Sequence, residues 1–230
     1  MIPVEEALKR ILAPVKPLNA EQISIYDADG RVLASDVEAL LTHPAHDVSA
    51  MDGYALRSED VLEEGVVLNI VGESAAGKPY SGCISPGQAV RIFTGAYVPD
   101  GADCIVMQEN TERLDGNLVR FRVPAIKGRH IRLQGLDVRV GQRVLAKGTV
   151  LTPRHIGLAA NAGLSRLPVY RKPKIGLLFT GSELVEPGQE CGIGQIVNSN
   201  GPMLSSLVER NGGKAVHLGI TEDRPKALLE

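Results

Sequence analysis

The first hydrophobic pattern in the chain predicts a short amphipathic helix. Apolar residues recur at helical spacing at Val4, Ala7, Leu8, Ile11 and Leu12. Pro3 lies just before them, where its missing N–H costs no intrahelical hydrogen bond. We therefore expect a helix over residues 4–12 whose single apolar face requires a packing partner.

Strand patterns dominate the next hundred or so residues. The stretch ISIYDADGRVLASDV alternates apolar and polar residues around Asp29-Gly30, a dipeptide that favours turns with positive φ. Residues 20–45 are therefore predicted to be strand and loop. From about residue 50 to 125, short strand patterns alternate with glycine turns, as in VVLNIVG, QAVRIFTGA, CIVMQEN and NLVRFRVP. This part, which no helical pattern interrupts, is predicted to be a β-rich unit, a small barrel or sandwich.

The pattern changes again in the last part of the chain. Thr152 is placed to cap a helix that begins at Pro153 and ends near Gly163. Further on, the apolar run KIGLLF, the turn TGSE, the helical stretch NGPMLSSLVERNGG and the apolar run AVHLGI predict a βαβ unit. Asn200 is the predicted N-cap of its helix, and Gly212 is predicted to lie past the helix end.

The topology of this βαβ unit predicts where a ligand would bind. Ligands of parallel sheets bind beyond the carboxyl ends of the strands, which correspond to residues 180–183 and 219–223. A further capped helix is predicted from DRPKALLE, at residues 223–230. A doubly wound sheet cannot cover both of its faces with only two strands and little more than one helix, so we expect the α/β domain to be incomplete and the chain to be a fragment.

Composition and charge narrow the function classes. The 25 Lys and Arg residues and 27 Asp and Glu residues give a formal charge of -2, which predicts no binding to nucleic acid or to an anionic membrane. No apolar run approaches the roughly 18 residues of a membrane span, and the N-terminus is unlike a signal peptide, so we expect a cytoplasmic protein. Cys83, Cys104 and Cys191 are widely spaced, which predicts reduced, mostly packed thiols rather than disulfides or a zinc site.

The stretch GESAAGKP, residues 72–79, partly matches the phosphate-binding pattern G-x-x-x-x-G-K-[ST]. Pro79 at the last position has no hydroxyl for a magnesium ion. The following PYSGCISPG cannot supply the helix whose N-terminus would hold phosphates. We interpret the stretch as a glycine turn between strands.

The stretch HPAHD places His43, His46 and Asp47 close together, upstream of Asp52. Imidazole and carboxylate groups together can ligate a transition metal. Pro44, however, breaks any helical face that would aim both histidines in one direction. A surface loop is the favoured interpretation, and a metal site is the alternative.

Four stretches place glycine beside a hydroxyl, an acid or an arginine. They are SAMDGYALRSED at 49–60, TGAYVPDGADCIVMQE at 94–109, GRHIRLQGLD at 128–137 and TGSELVEPG at 180–188. Glycine lets backbone N–H groups approach a ligand closely. Arg132 is of a type that clamps a phosphate or oxyanion, and a carboxylate such as Glu183 suits Mg²⁺. The pattern indicates anionic, phosphate-like chemistry, and the alternative is a set of ordinary turns.

The ordered series SAMDGYA, TGA...PDGAD...VMQE, IRLQGLDV and TGSELVEPG...GQIVNSN resembles the molybdopterin molybdotransferase family, the MoeA and gephyrin E-domain proteins. The likeness runs along the whole chain, and in the family the chain continues further. The resemblance implies a multi-domain α+β fold. An elongated N-terminal region (1–48 and 126–170, for linking and dimerisation) carries a β-rich, barrel-like inserted domain (49–125). An incomplete α/β, molybdopterin-binding-like domain follows (171–230).

The resemblance also implies site residues, position by position. Asp52 matches the aspartate of the family's Asp-Gly-Tyr-Ala motif and Thr94 the threonine of its Thr-Gly-Ala turn, and both are expected to be catalytic and to face the active-site cleft. Glu183 matches the acid of Thr-Gly-x-Glu-Leu, which is expected to be catalytic and to hold a divalent cation near the substrate phosphates. The implied substrate-binding residues are Gly53, Gly95, Arg132, Asp137, Gly181, Ser182, Asn200 and Asp223. Gly53 is expected to leave room for substrate. In one departure, Leu136 stands where some relatives carry an acid.

The implied reaction combines adenylylated molybdopterin with molybdate, yields molybdenum cofactor and releases AMP with the help of Mg²⁺. A cation on Glu183 would offset phosphate charge and stabilise the leaving AMP. The implied assembly is a homodimer with a shared active-site cleft, in which Asp52 and Thr94 meet Glu183 of the partner subunit. Molybdopterin adenylyltransferase is the implied upstream partner. The alternative is a non-catalytic binding or scaffold relative, as gephyrin is at synapses.

Overall fold

The computed structural model of the chain describes residues 2–224. The helices within them are α1 (Val4–Leu12), α2 (Pro153–Asn161) and α3 (Asn200–Arg210). The strands are, in chain order, β1 (Ala20–Ser24), β2 (Val37–Glu38), β3 (Val48–Ser49), β4 (Gly53–Leu56), β5 (Val67–Ser74), β6 (Gln88–Ile92), β7 (Cys104–Met107), β8 (Thr111–Leu114), β9 (Leu118–Phe121), β10 (Ile131–Arg132), β11 (Arg143–Leu145), β12 (Arg166–Tyr170), β13 (Lys174–Thr180), β14 (Leu184–Val185), β15 (Ile196–Val197) and β16 (Lys214–Thr221). Short 3-10 turns occur at Ile25–Asp27, Ser58–Asp60 and Gln108–Asn110.

The chain divides into two compact units. The terminal unit comprises Met1–Val37, Leu145–Gly157 and Ser165–Glu230, and the central unit comprises Glu38–Val144 and Leu158–Leu164. The β-rich stretch of the sequence falls in the central unit. The three domain ranges implied by the family resemblance stay a prediction.

The central unit is built on one curled six-stranded sheet, which confirms the β-rich prediction. The strand order is β7-β4-β6-β5-β9-β8. Strands β5 and β6 run parallel, and the other neighbours run antiparallel. The order ends at β7 and β8, which do not pair with each other in the described part of the chain, so strand pairing does not close the predicted barrel.

Strand β4 lies at the centre of the hydrophobic core of this unit. All four of its residues are buried, and alternate side chains point into two apolar clusters. One cluster includes Tyr54, Leu56 and Phe121, and the other includes Ala55, Ile92 and Ile105. The rings of Tyr54 and Phe121 meet edge to face with centroids 6.2 Å apart. Full burial of a large apolar side chain contributes about 1.5–3 kcal/mol to stability. Strand β4 is therefore held firmly in the core, and it fixes the position of Asp52, the residue that precedes it.

The stretch GESAAGKP forms the predicted glycine turn and not a phosphate-binding loop. Its first three residues end β5. Ala75 and Lys78 then exchange two backbone hydrogen bonds of 3.0 and 2.9 Å, and Gly77 between them has a φ of 76°. Residues 79–87, all of them described, contain no helix, so no helix N-terminus is available for a phosphate.

Strands β13 and β16 of the terminal unit pair in parallel, with α3 between them in the sequence, which confirms the βαβ prediction. Thr180 lies opposite Thr221, so both carboxyl ends meet at one edge of the pair. Gly212 follows α3 with a φ of 82°, as predicted for a residue past a helix end. The helix predicted from DRPKALLE falls mostly on residues 225–230, which lie outside the described residues.

The predicted N-cap of α3 is wrong. The helix already includes Asn200, and the capping side chain is Asn198, which is 3% exposed. Asn198 Oδ1 accepts a hydrogen bond from the backbone N–H of Gly201 at 3.1 Å. Asn198 also donates its own backbone N–H to the Val185 carbonyl at 2.9 Å, so one buried residue joins β14 to the start of α3.

Helices α1 and α2 occur where the sequence predicts them. The α1 helix has the predicted bounds, but it buries none of its residues, and Val4, Leu8 and Ile11 are each more than half exposed. Helix α2 begins at Pro153, and the Thr152 carbonyl accepts the backbone N–H of Ile156 at 3.0 Å. None of the described helices has the length and apolar character needed to cross a bilayer.

The three cysteines differ in their surroundings. Cys104 is buried in the core of the central unit, and this burial raises the pKa of its thiol to about 12. Cys83 and Cys191 are exposed. The prediction of packed thiols is therefore confirmed for Cys104 and wrong for the other two, which lie in irregular segments outside the sheet.

Candidate functional site

Asp52 and Thr94, two residues implied by the family resemblance, are in direct contact. Asp52 immediately precedes β4, and Thr94 lies in the turn after β6. Asp52 Oδ1 accepts two hydrogen bonds of 2.8 Å, one from the Thr94 backbone N–H and one from Thr94 Oγ1. Gly95 has a φ of 80°, and Ala96 donates its N–H to the Phe93 carbonyl at 2.9 Å, which is typical of a type II turn. The Thr-Gly turn therefore aims two donors at one carboxylate oxygen.

These contacts keep Asp52 ionised. The backbone hydrogen bond from Thr94 lowers the pKa of Asp52 below its ordinary value of 3.8, and the Thr94 hydroxyl and the positive charge of Arg91 lower it further. Asp52 therefore carries a negative charge at neutral pH. Such a carboxylate can accept hydrogen bonds or face a cation, and it holds no proton to donate.

Replacing Thr94 with valine is expected to raise the pKa of Asp52 towards 3.8, because the hydroxyl donor is lost while the backbone donor stays. A carboxyl group with a lowered pKa stabilises the fold above its unfolded pKa, and this contribution is lost as pH falls through the folded pKa. The loss on acidification below about pH 3.8 should therefore be smaller in Thr94→Val. Carbon-detected NMR titration of the Asp52 carboxyl measures the shift.

Thr111→Val is the matched control for this titration. The Thr111 hydroxyl donates to the Gln108 carbonyl at 2.8 Å and makes no hydrogen bond to Asp52 in the described structure. This variant should leave the Asp52 titration unchanged. An Asp52 pKa that is equal in the Thr94→Val and parent chains would contradict a role for the hydroxyl bond.

Gly53 is required by the packing of the protein itself. A Cβ atom at this position would lie 2.1 Å from the carbonyl oxygen of Val106 on β7. The expectation that Gly53 leaves room for substrate is therefore wrong, because the neighbouring strand already occupies that space. Its place among the substrate-binding residues stays a prediction.

Two further residues, which were not among the predicted site residues, complete the group around Asp52. Arg91 Nη1 donates to the Gly53 carbonyl at 3.0 Å, and Arg91 Nη2 donates to Gln108 Oε1. Gln108 also donates its backbone N–H to the Asp52 carbonyl at 3.0 Å. The sequence signal for Arg91 was a charged residue inside the apolar run QAVRIF, directly before the Thr-Gly turn, and the signal for Gln108 was its place in the stretch VMQE.

Arg132 and Asp137 form a second contact pair in the central unit. Arg132 Nη2 lies 2.8 and 2.7 Å from the two Asp137 carboxylate oxygens. His43 Nε2 lies 3.7 Å from one of these oxygens. Strand β3 pairs with β10, which carries Arg132, and Val48 of β3 also bridges to Tyr97 just after the turn that follows β6. These two contact pairs therefore lie on either side of β3, and the charge of Arg132 is balanced by Asp137.

The structure does not support a metal site at HPAHD. His43 faces Asp137, whereas the His46 ring packs edge to face against Tyr97 with centroids 5.6 Å apart. Within residues 2–224, no three or more His, Cys, Asp or Glu side chains form a group suited to a metal ion. The two histidines serve separate contacts, as the surface-loop interpretation expects.

The remaining predicted residues belong to the terminal unit. Residues 181–183 form the turn after β13, and Gly181 donates its N–H to the Thr221 carbonyl at 3.1 Å. The Glu183 carboxylate folds back over Gly181, so a Cβ there would lie 2.8 Å from both carboxylate oxygens. Asp223 is exposed, two residues after the end of β16. Glu183 and Asp223 thus follow neighbouring strands at the edge where ligands of parallel sheets bind.

The donor set around Glu183 fits Mg²⁺ only with help from a bound ligand. Glu183 is exposed and offers one carboxylate, and Asn200 at the start of α3 is also exposed. Mg²⁺ commonly keeps several waters and takes one or two protein carboxylates together with substrate phosphates. Glu183 is suited to that limited role, and its assignment as a metal ligand stays a prediction.

Known proteins resemble the chain in sequence. A sequence profile described as "MoeA N-terminal region (domain I and II)" matches residues 2–163. A molybdopterin molybdenumtransferase of Nostoc sp. is 40% identical over 216 residues, which cover 92% of this chain and 49% of the relative. A molybdopterin molybdenumtransferase of Haemophilus influenzae is 34% identical over 224 residues, which cover 97% of this chain and 55% of the relative. The chain spans about half the length of these curated relatives.

Solved structures of MoeA proteins also resemble the chain, in fold as well as in sequence. A molybdopterin biosynthesis MoeA protein from Pyrococcus horikoshii OT3 superposes with a TM-score of 0.90 and 35% identity, covering 98% of this chain and 61% of that chain. A second crystal structure of a Pyrococcus molybdopterin biosynthesis MoeA protein gives a TM-score of 0.85 and 31% identity, covering 99% and 59%. The described fold is thus a β-rich part of the MoeA fold. The sequence profile of the MoeA N-terminal region covers well over half of this chain, and the chain therefore belongs to the MoeA family.

Proposed function

We propose that this chain carries part of the active site of a molybdopterin molybdotransferase of molybdenum cofactor biosynthesis. The proposed reaction inserts molybdate into adenylylated molybdopterin and releases AMP, with Mg²⁺ as the required cation. We place the protein in the cytoplasm, downstream of a molybdopterin adenylyltransferase. Relatives named molybdopterin molybdenumtransferase support this proposal.

The contact between Asp52 and Thr94 is the observation that carries the proposal. Asp52 holds a negative charge at the protein surface, and Thr94 fixes one of its two oxygens. The second oxygen makes no hydrogen bond within the described residues. In the proposed reaction Asp52 orients substrate or a bound water through this second oxygen and transfers no proton.

Glu183 has a separate role in the proposal. Its exposed carboxylate would hold Mg²⁺ together with the substrate phosphates and so stabilise the leaving AMP. We propose a homodimer with a shared cleft, in which Asp52 and Thr94 of one protomer act with Glu183 of the partner subunit. Arg132 would contact substrate only if its pairing with Asp137 loosens.

Equilibrium binding of adenylylated molybdopterin in the presence of Mg²⁺ tests the proposal. Asp52→Asn and Glu183→Gln are each expected to weaken binding about tenfold, because each removes a charge that acts on the ligand. Asp115→Asn and Glu186→Gln alter exposed acids of the same types and should change the Kd by less than about twofold. Analytical ultracentrifugation of the same samples should show a dimer.

Each other outcome would count against a stated part of the proposal. Tight binding in both variants would mean that the site lies elsewhere in the chain. Tight binding by a parent chain that stays monomeric would contradict the shared cleft. No binding by the parent chain would show that the residues of this chain do not form the site by themselves.

A further inference from the structure

A groove in the terminal unit lies apart from all the residues assigned above. Its volume is about 450 Å³, within the usual range for sites that hold one small molecule. One wall is the extended segment after α1, with Val15 and Leu18. The other walls come from Val32, from Tyr170 at the end of β12 and the three residues that follow it, and from the turn after α3.

Every charged residue that lines this groove is basic. These residues are Lys16, Arg31, Arg171 and Lys172. The positive charge of Arg31 is neutralised within the protein, because its Nη2 donates to Glu21 Oε1 at 2.6 Å and to the Tyr170 carbonyl at 2.8 Å. Its side chain is also only 10% exposed. The other three form no ion pair within residues 2–224, so the groove has a net positive rim.

The groove combines this rim with apolar side chains on its walls. Val15 and Leu18 are 63% and 46% exposed, so their side chains are accessible to a ligand in the groove. A polar anion would leave these apolar side chains uncovered, and a neutral apolar molecule would gain nothing from the three cations. A ligand with an apolar body and one anionic group satisfies both parts.

We propose that this groove binds a free small amphipathic anion, an aromatic or aliphatic molecule with a carboxylate, sulfonate or phosphate group. The apolar body lies on Val15, Leu18 and Val32, and the anionic group faces Lys16 and Lys172. The groove is independent of the Asp52 and Glu183 groups. Binding there needs neither molybdopterin nor Mg²⁺.

The anionic dye 8-anilinonaphthalene-1-sulfonate is a direct probe, since it carries an aromatic body and one sulfonate. We expect saturable one-to-one binding by the parent chain, followed by dye fluorescence, and about tenfold weaker binding of the uncharged analogue N-phenyl-1-naphthylamine. The double variant Lys16→Glu/Lys172→Glu should also weaken dye binding about tenfold, because two attractions become repulsions.

Two control variants locate the site. Lys78→Glu/Lys147→Glu makes the same charge change at two exposed lysines outside the groove and should change the Kd by less than about twofold. Leu8→Ser removes an exposed apolar side chain from α1, another surface that could attract such a dye, and should leave the Kd unchanged. Amide shifts in NMR spectra should fall on Gly30, Val32 and Gly212.

Several results would overturn the proposal. One is the absence of saturable dye binding by the parent chain. Another is equal affinity for the charged and uncharged probes, since the cations would then play no part. Equal weakening by both lysine pairs would indicate a general charge effect, and loss of binding in Leu8→Ser would place the dye on α1.

Discussion

Replacing Gly53 with alanine is expected to destabilise the central unit by about 3 kcal/mol. The added Cβ would lie 2.1 Å from the Val106 carbonyl oxygen, and backbone atoms cannot move aside by changing rotamer. Strand β4 pairs with β6 on one side and β7 on the other, so it cannot shift without loss of strand pairing. Urea unfolding followed by circular dichroism measures the loss.

The Gly53 experiment also separates two explanations of the Asp-Gly motif. If the glycine served only to leave room for substrate, the Gly53→Ala chain would keep its stability and lose ligand binding. Gly157→Ala is the control, because Gly157 lies in α2 with open space around its Cβ position and should gain up to about 1 kcal/mol. A Gly53→Ala chain as stable as the parent would contradict the close approach of β7.

Periodicity in the sequence predicts those elements that form from their own local pattern. The helical spacing after Pro3 predicts α1, and the two apolar runs around NGPMLSSLVERNGG predict the parallel pair of β13 and β16. The same patterns do not show what covers an apolar face. In α1 that face remains exposed in the described part of the chain.

Predictions fail where the deciding partner is distant in the sequence. Asn200 was the predicted cap, but the capping side chain is Asn198, whose backbone N–H donates to the Val185 carbonyl of β14. Gly53 has the appearance of a turn residue beside Asp52, yet strand β7 makes it the first residue of a central strand. Local propensity carries no information about either contact.

In the candidate site, too, the sequence predicted individual residues but not the contacts between them. The resemblance to the family pairs no residues by itself, but the structure brings Asp52 to Thr94 and Arg132 to Asp137. Arg132 was expected to be free to clamp a phosphate. Its balance by Asp137, five residues along the chain, follows from the loop conformation after β10 and not from residue type.

Replacing Arg91 with methionine is expected to destabilise the central unit by about 2 kcal/mol. The change removes hydrogen bonds to the Gly53 carbonyl and to Gln108, which contribute about 1 kcal/mol each. It also removes a cation over two rings, with the guanidinium carbon 5.3 Å from the Tyr54 centroid and 4.7 Å from that of Phe93. Urea unfolding again provides the measurement.

Arg91→Lys distinguishes charge from geometry. Lysine keeps the positive charge near the rings, but a single ammonium group lacks the planar fork that reaches Gly53 and Gln108 together, so about half of the loss should remain. Arg113→Met on the exposed face of β8 is the control and should change stability by less than about 0.5 kcal/mol. If Arg91→Met behaved like this control, the link between β6, the start of β4 and Gln108 would contribute nothing to stability. The Thr94 bonds and the Gln108 backbone N–H would then hold Asp52 in place.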